Sequence, residues 1–184
     1  MLFKPNKRFA SALLVTAFLA AIVAGPAVDA QEVATGGANA TVLAVLAVTS
    51  VQDLNFGNVL QGVPATADID IVAEAGDFLV AGAAGNEVAL YLQLPEYLWN
   101  STNTDRMIIS FSSTDCEIDP LAAGDAATKS GTETVEDPYN LTATTLGVDN
   151  GLHVYLAGTV YPAVDQAVGA YTADIVLTAA YTGN

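Results

Sequence analysis

The chain has 184 residues, with 5 Lys and Arg against 20 Asp and Glu and a formal net charge of −15. The length fits one domain or two very small ones, and the acidic balance argues against a nucleic-acid partner, which requires a basic surface. One Cys and one His exclude an internal disulfide framework and leave little room for histidine-centred catalysis, so the composition favours a secreted, acidic, all-β protein that is structural or binding and not an enzyme.

Residues 1–30 have the pattern of a secretory signal peptide. The first eight residues carry three basic side chains, the run Phe9–Ala24 is apolar and uncharged, and Val28–Ala30 forms a small-residue cleavage site. An uncleaved anchor is the alternative, although the run is short for a span of about 20 residues. Cleavage after Ala30 predicts a secreted protein, extracellular or on the cell surface, without a transmembrane segment. Arg106 and Lys129 are then its only basic residues, against 19 acidic ones.

Residues 31–50, called the arm below, begin with a small, flexible stretch and continue into an apolar one. From Asn39 to Ser50 the residues alternate, and both faces of the resulting strand are mainly apolar. A strand of this kind needs cover on both sides. Either it is the first strand of its own domain, or it completes the domain of a neighbouring subunit. In the second case the donor residues are Val42, Leu43, Val45, Leu46 and Val48.

Residues 51–184 form the predicted β-sandwich domain. Short segments with two-residue periodicity are separated by Gly, Pro, Asn and Asp, which favour turns. The predicted strands are 67–72, 77–81, 87–94, 106–112, 151–161 and 171–182. An acidic insert around residues 113–147 interrupts this spacing, and we interpret it as a long loop or a mobile β-excursion.

Few side chains in this domain are arranged for chemistry. Asp115, Glu117 and Asp119 would share one face of a strand and could meet Ca²⁺, but the alternative is a solvated acidic loop, which the sequence favours. His153 is predicted to lie on the surface, and Cys116 is predicted to be a buried or loop residue, with an intermolecular disulfide as the alternative. We therefore expect no catalytic residue, no metal ligand and no cofactor.

Several motifs resemble those of the domain-of-unknown-function family 4402. Asp53–Gly57 is similar to its "D-L-x-F-G" signature, Leu156–Val160 to its "V-G-G-T-L" strand, and Gly169–Ala173 to its "G-x-Y-x-G" motif. Val176–Tyr181 is similar to its final "V-T-V-x-Y" strand, and Leu92–Pro95 to a strand ending in "L-P". Ala157 and Ala173 stand where that family usually has Gly. The resemblance implies an immunoglobulin-like β-sandwich of the pilin or adhesin type, without enzymatic activity.

The resemblance also favours the second interpretation of the arm. Sandwiches of the pilin type lack one strand, which a neighbour's N-terminal extension supplies. The sequence ends three residues after Tyr181, so we expect the edge of the last strand to be covered by another copy. The predicted acceptor residues are Tyr171, Ile175, Leu177 and Tyr181.

The function expected from the sequence is therefore that of a structural subunit. Copies of the chain would form a homopolymer, an extracellular pilus-like filament assembled by donor-strand complementation. The alternative is a monomeric secreted adhesion or carbohydrate-binding module that makes contact through the loops around Tyr97–Trp99.

Overall fold

The computed structural model describes residues 36–183, so the predicted signal peptide and the first five residues of the arm lie outside it. Within the described range the protein is all-β, with thirteen strands and no helix. All the strand pairs are antiparallel and form three sheets. This confirms the predicted all-β fold.

The strands are short and follow one another along the whole domain. Their bounds are β1 (Ala47–Gln52), β2 (Ala65–Ala67), β3 (Gly76–Ala81), β4 (Glu87–Gln93), β5 (Tyr97–Asn100), β6 (Arg106–Ser110), β7 (Cys116–Asp119), β8 (Thr134–Glu136), β9 (Thr144–Thr145), β10 (Gly151–Leu156), β11 (Gly158–Tyr161), β12 (Tyr171–Thr172) and β13 (Val176–Tyr181). Sheet 1 has the order β1-β3-β10-β7-β8, sheet 2 the order β12-β5-β6-β11-β2, and sheet 3 the order β13-β4-β9.

The sheets form a sandwich-like arrangement around one main core. Sheets 2 and 3 are joined because β4 continues into β5 past Pro95. In the same way, β12 pairs with β5 and β13 pairs with β4. The core cluster takes side chains from sheet 1, such as Val80 and Val154, and from sheets 2 and 3, such as Ile109 and Leu92. Alternation on β4 shows the pattern clearly, since every second residue is buried.

The predicted strands agree with the structure in most places. The segments around 77–81, 87–94, 106–112, 151–161 and 171–182 contain β3, β4, β6, β10 with β11, and β12 with β13. The prediction of a strand over 67–72 is wrong beyond Ala67. Asp68 Oδ1 accepts a hydrogen bond from the Asp70 N–H, and this local bond competes with a strand ladder and starts a turn.

The acidic insert is more regular than the sequence indicates. It contains β7, β8 and β9, and the stretch between β7 and β8 packs on the face of sheet 1 that points away from the main core. There Ala126 joins Ala75 and Tyr155 in a second, smaller apolar cluster. Sheet 1 is therefore covered on both faces, and all six residues of β10 are buried. The prediction of a surface position for His153 is wrong for this reason.

In residues 36–183 no helix is long and apolar enough to cross a membrane.

The core predicts a sharp contrast between two leucines. Leu156 is fully buried on β10, whereas the Leu60 side chain is 72% exposed. We expect Leu156→Ala to lower the free energy of unfolding by about 2–5 kcal/mol, because it removes apolar contacts and leaves a cavity. The matched change Leu60→Ala is expected to alter it by less than about 0.5 kcal/mol. Urea unfolding of both variants measures the difference, and equal losses would contradict this assignment of the core.

Candidate functional site

The domain contains a groove of about 1190 Å³ with polar side chains along its walls and an apolar floor. One wall runs from the end of β1 through the segment up to Gln61, and the other runs from Gln166 through β12 to the start of β13. Its apolar floor belongs to the main core. The floor residues are Phe78, Leu98, Met107, Ile109 and Val160.

Both walls of the groove carry a strand edge with an open side. Among the described strands, β1 pairs only with β3, β12 only with β5, and β13 only with β4. An unpaired edge presents a row of backbone N–H and C=O groups that can pair with another strand. The groove thus combines an apolar floor with hydrogen-bonding groups along its sides.

The face of β1 that points toward the core is not fully covered. Val48 lies opposite Val80 in the ladder, and Val80 is fully buried in the core. Residues directly opposite each other point to the same face of a sheet, so Val48 also points toward the core side. Its side chain is nevertheless 39% exposed. The described residues therefore cover this face of β1 only in part.

The groove is closed at one end by a contact between β1 and β13. The Tyr181 hydroxyl accepts a hydrogen bond from the Ala83 N–H at 2.7 Å and donates one to the Ala44 carbonyl at 3.0 Å. Leu46 packs beside it over Gly82, where an added Cβ would lie only 2.9 Å from Leu46 Cδ1. The contact of Leu46, Gly82 and Tyr181 is called the closed end below.

The four predicted acceptor residues occupy three different positions. Tyr171 and Ile175 line the groove. Leu177 is buried in the main core opposite Leu92, and Tyr181 belongs to the closed end. The part of this segment that lines the groove thus ends at Val176.

The five predicted donor residues also divide into two groups. Val42 and Val45 are 94% and 90% exposed, and Leu43 is 37% exposed. Leu46 is half-buried against the core, and Val48 lies on β1 of its own domain. Residues 36–45, called the outer arm below, are exposed and have no regular secondary structure.

A polar network holds the wall of the groove that contains Tyr171. The Tyr171 hydroxyl donates to Asp105 Oδ2 at 2.7 Å, and the buried Gln166 side chain donates to the same carboxylate at 2.9 Å. The hydrogen bond from Tyr171 is the main cause that lowers the pKa of Asp105. The ring of Tyr171 is therefore fixed where it borders the groove.

A second, more open cavity of about 690 Å³ lies beside the aromatic strand β5. The sequence indicates a turn at Tyr97–Trp99, but these residues form a strand that pairs with β6. Arg106 lies over both rings, with its guanidinium carbon 4.1 Å from the centre of Tyr97 and 5.7 Å from that of Trp99. Trp99 remains 38% exposed, so this cavity offers an aromatic surface next to the polar side chains of Asn100 and Asn103.

The outer face of sheet 1 carries a buried ion pair that the sequence did not predict. His153 Nδ1 lies 2.6 Å from Asp77 Oδ1, and the imidazole stacks on Tyr155 with ring centres 5.5 Å apart. The hydrogen bond to Asp77 is the main cause that raises the pKa of His153. His153 alternates with the apolar residues Leu152 and Val154, which predicts an exposed position for it. The segment that covers this face is distant in sequence, so the alternation does not reveal it.

The acidic trio does not converge on one point. Asp115 accepts hydrogen bonds from the Ser112 N–H and hydroxyl, Glu117 pairs with Lys129 Nζ at 2.5 Å, and Asp119 accepts from the Ser130 N–H at 2.8 Å. Asp119 is buried, so the prediction of a solvated loop is wrong for it. Across the described part of the chain, no group of three or more His, Cys, Asp or Glu side chains is placed to hold a metal ion.

The Lys129 side chain is largely covered, and Cys116 is fully buried. The Lys129 side chain is 8% exposed and also pairs with Asp70 at 2.5 Å. Burial opposes its charge, but the bonds to Asp70 and Glu117 outweigh that effect and raise the pKa. Cys116 lies in the core, and burial raises the pKa of its thiol to about 12. This confirms the buried interpretation of Cys116 and makes an intermolecular disulfide unfavourable.

No protein-family model, curated protein or solved structure matches this chain. The resemblance to family 4402 therefore stays a prediction from the motifs.

The Asp77–His153 pair predicts a defined pH dependence of stability. Because the folded pKa of His153 lies above its ordinary value of 6.5, the pair stabilises the fold fully below about pH 6.5 and loses this effect as the pH rises through the folded pKa. Asp77→Asn removes the main cause of the shift. We expect the difference in unfolding free energy between wild type and Asp77→Asn to be largest at pH 6 and to shrink as the pH rises to 9, because His153 loses its proton over this range. Chemical unfolding at each pH measures it, and parallel curves would rule out the pair as a coupled site.

Proposed function

We propose that this protein is the structural subunit of an extracellular, pilus-like filament in which each copy donates its arm to the groove of the next. The observation that carries the proposal is the presence, on one molecule, of an exposed arm with apolar side chains and a groove with an apolar floor bordered by the open edges of β1, β12 and β13. The outer arm supplies exposed apolar side chains and a backbone without regular secondary structure, and the groove supplies an apolar floor and open strand edges.

The groove suits an extended segment as its ligand. Its floor is apolar, and its walls are the edges of β1 and of β12 with β13, so an added strand would gain side-chain burial and main-chain hydrogen bonds together. The affinity would come from the main chain, and the choice of partner from the alternate side chains that reach the floor.

The outer arm suits the role of the added strand. Val42 and Val45 are almost fully exposed and Leu43 is partly exposed. Burying a fully exposed valine such as Val45 would contribute about 1.5–3 kcal/mol. Leu46 and Val48 instead contact their own domain. In the proposed assembly these two residues anchor the arm, and the donated strand ends at Val45.

An arm and a groove on the same molecule form a heterologous contact, which gives an open filament when the rotation between copies does not close into a ring. The proposed domain type is an immunoglobulin-like sandwich of the pilin or adhesin kind, and the family 4402 motifs support it. The signal-peptide pattern of residues 1–30 supports a place outside the cell.

The aromatic cavity supports a second candidate function. Trp99 is partly exposed beside Tyr97, Asn100 and Asn103, and an aromatic face next to polar groups is a surface on which a sugar ring can stack. In that case the protein would be a monomeric secreted adhesion or carbohydrate-binding module. The two candidates differ in oligomeric state.

Two matched valine variants test the filament. We expect Val45→Asp to weaken association between copies by about 10- to 150-fold, because it removes the burial of one donated side chain and adds a charge to the groove. Val135→Asp is the control, since Val135 is also exposed but lies on β8, at the edge of sheet 1 opposite the groove. Analytical ultracentrifugation and electron microscopy of both variants measure assembly.

A truncated chain completes the test. With residues 31–45 deleted, the protein is expected to form no filaments and to bind a synthetic peptide of residues 36–45 with one peptide per copy. If the full-length protein without its signal peptide sediments as a monomer over a wide concentration range, the filament proposal is wrong and the monomeric module is favoured.

A further inference from the structure

Two touching turns at the end of the domain opposite the closed end carry an exposed apolar patch. The turns are Leu60–Val63 and Ala163–Val168, and the Gly62 N–H donates a hydrogen bond to the Ala163 carbonyl at 3.1 Å. Their exposed apolar side chains are those of Leu60 at 72%, Val63 at 50%, Val164 at 84% and Val168 at 98%. These four residues are called the valine patch below. A cluster of exposed branched side chains on a soluble domain marks an interaction surface.

The valine patch is continuous with the groove. Gln61, Gln166 and Val168 belong to the lining of the groove and lie within or beside the two turns. Asp165 is the only charged residue of these turns, although the chain as a whole is strongly acidic. A second acidic copy would meet less repulsion here than elsewhere on the surface.

The opposite end of the domain carries an exposed valine of its own. Val148 lies in the turn between β9 and β10 and is 95% exposed. The neighbouring Asp149 points inward, because its Oδ2 accepts hydrogen bonds from the Ala122 and Ala123 N–H groups at 2.6 and 3.2 Å. This turn adjoins the closed end, since the Gly82 N–H donates to the Asn150 carbonyl. The arm therefore leaves its own domain next to Val148.

The closed end decides on which side a donor's domain can sit. Leu46 and Tyr181 bring β1 and β13 together there, so a strand lying in the groove can connect to its own domain only at the other end, next to the valine patch. A donated strand that ends at Val45 is followed directly by Leu46, which is held in the donor's own domain. One residue spans only about 3.3–3.6 Å. The donor's domain must then stand immediately beyond the acceptor's valine patch.

We infer that the valine patch is a second contact between successive copies, and that it docks against the end of the next copy that carries Val148. This inference rests on the proposed filament and adds to it the orientation of the subunits. The donated strand and the docked ends together fix one copy on the next, so the filament would be stiff at each junction and not jointed at a flexible linker.

A pair of engineered cysteines tests the contact. In the variant Val148→Cys with Val168→Cys, a short bis-maleimide should join successive copies and give a ladder of covalent multimers on a denaturing gel. Cys116 does not compete, because it is buried. The control pair, Val148→Cys with Val135→Cys, places the second thiol at the far edge of sheet 1 and should give no ladder.

A charge variant gives an independent measurement. We expect Leu60→Asp with Val164→Asp, two residues of the valine patch outside the groove lining, to lower association between copies by about tenfold or more, while binding of the peptide of residues 36–45 to the truncated chain stays unchanged. Filaments that form normally from this variant, or a ladder from the control pair alone, would overturn the second contact and leave the filament itself standing. If no filaments form from the unmodified chain and the peptide does not bind, the proposed function fails and this inference fails with it.

Discussion

The contact of Leu46 and Tyr181 over Gly82 is the constraint on which the shape of this domain depends. Antiparallel sheets that face each other tend to close along their sides, and here closure occurs at one end only. Tyr181 connects the chain before β1 to the loop after β3 through its hydroxyl, and Leu46 fills the space that Gly82 leaves. Beyond this contact the two edges separate, and core residues such as Ile109 and Val160 become the floor of a groove. A Cβ at position 82 would meet the ends of the Leu46, Leu146 and Tyr181 side chains, so a larger residue there would displace them.

Charged pairs on the outer face of sheet 1 stabilise the sheet that carries one wall of the groove. The domain has many carboxylates and very few cations, and it places Lys129 between Asp70 and Glu117, over the ring of Tyr155. His153 holds Asp77 in the same region. Removing one partner of a buried pair leaves an uncompensated charge. The Lys129–Glu117 pair therefore holds the insert on the sheet, whereas the Asp77–His153 pair joins β3 to β10 and His153 contacts the insert at the Ala122 carbonyl. The insert thus stiffens β3, the strand on which the exposed edge strand β1 depends for its ladder.

The sequence predicts strands well where a single face is buried. On β4 the burial alternates, and the segment 87–94 reveals it directly. On β10 the sequence also alternates, with His153 and Tyr155 between aliphatic residues, yet both faces are buried because a distant insert covers the outer one. Two-residue periodicity reports the chemistry of a strand but not which remote segment packs on it. For the same reason the Asp77–His153 pair, which joins residues far apart in sequence, could not be predicted.

The sequence predicts part of the groove but not its extent. Two of the four residues that the sequence predicts for it, Tyr171 and Ile175, do line it. Its extent is not visible, because Leu177 and Tyr181 have the same alternation as Tyr171 and Ile175 but lie in the core and at the closed end. The division follows from where β1 and β13 meet, at the contact of Leu46 and Tyr181 beside Gly82, and no motif in the sequence marks that place.

The closed end also bears on why an arm of this kind would serve a neighbour and not its own domain. The hydrogen bond from the Tyr181 hydroxyl to the Ala44 carbonyl holds the arm at the end of the domain where the groove is shut. To enter its own groove, the arm would have to reverse direction just before β1, which would break that bond and pull Leu46 out of its packing beside Gly82. Insertion into a neighbour keeps the packing of Leu46 beside Gly82 and buries Leu43 and Val45 in the neighbour's groove. In the proposed filament, the contacts at the closed end therefore favour insertion of the arm into a neighbouring copy over insertion into its own groove.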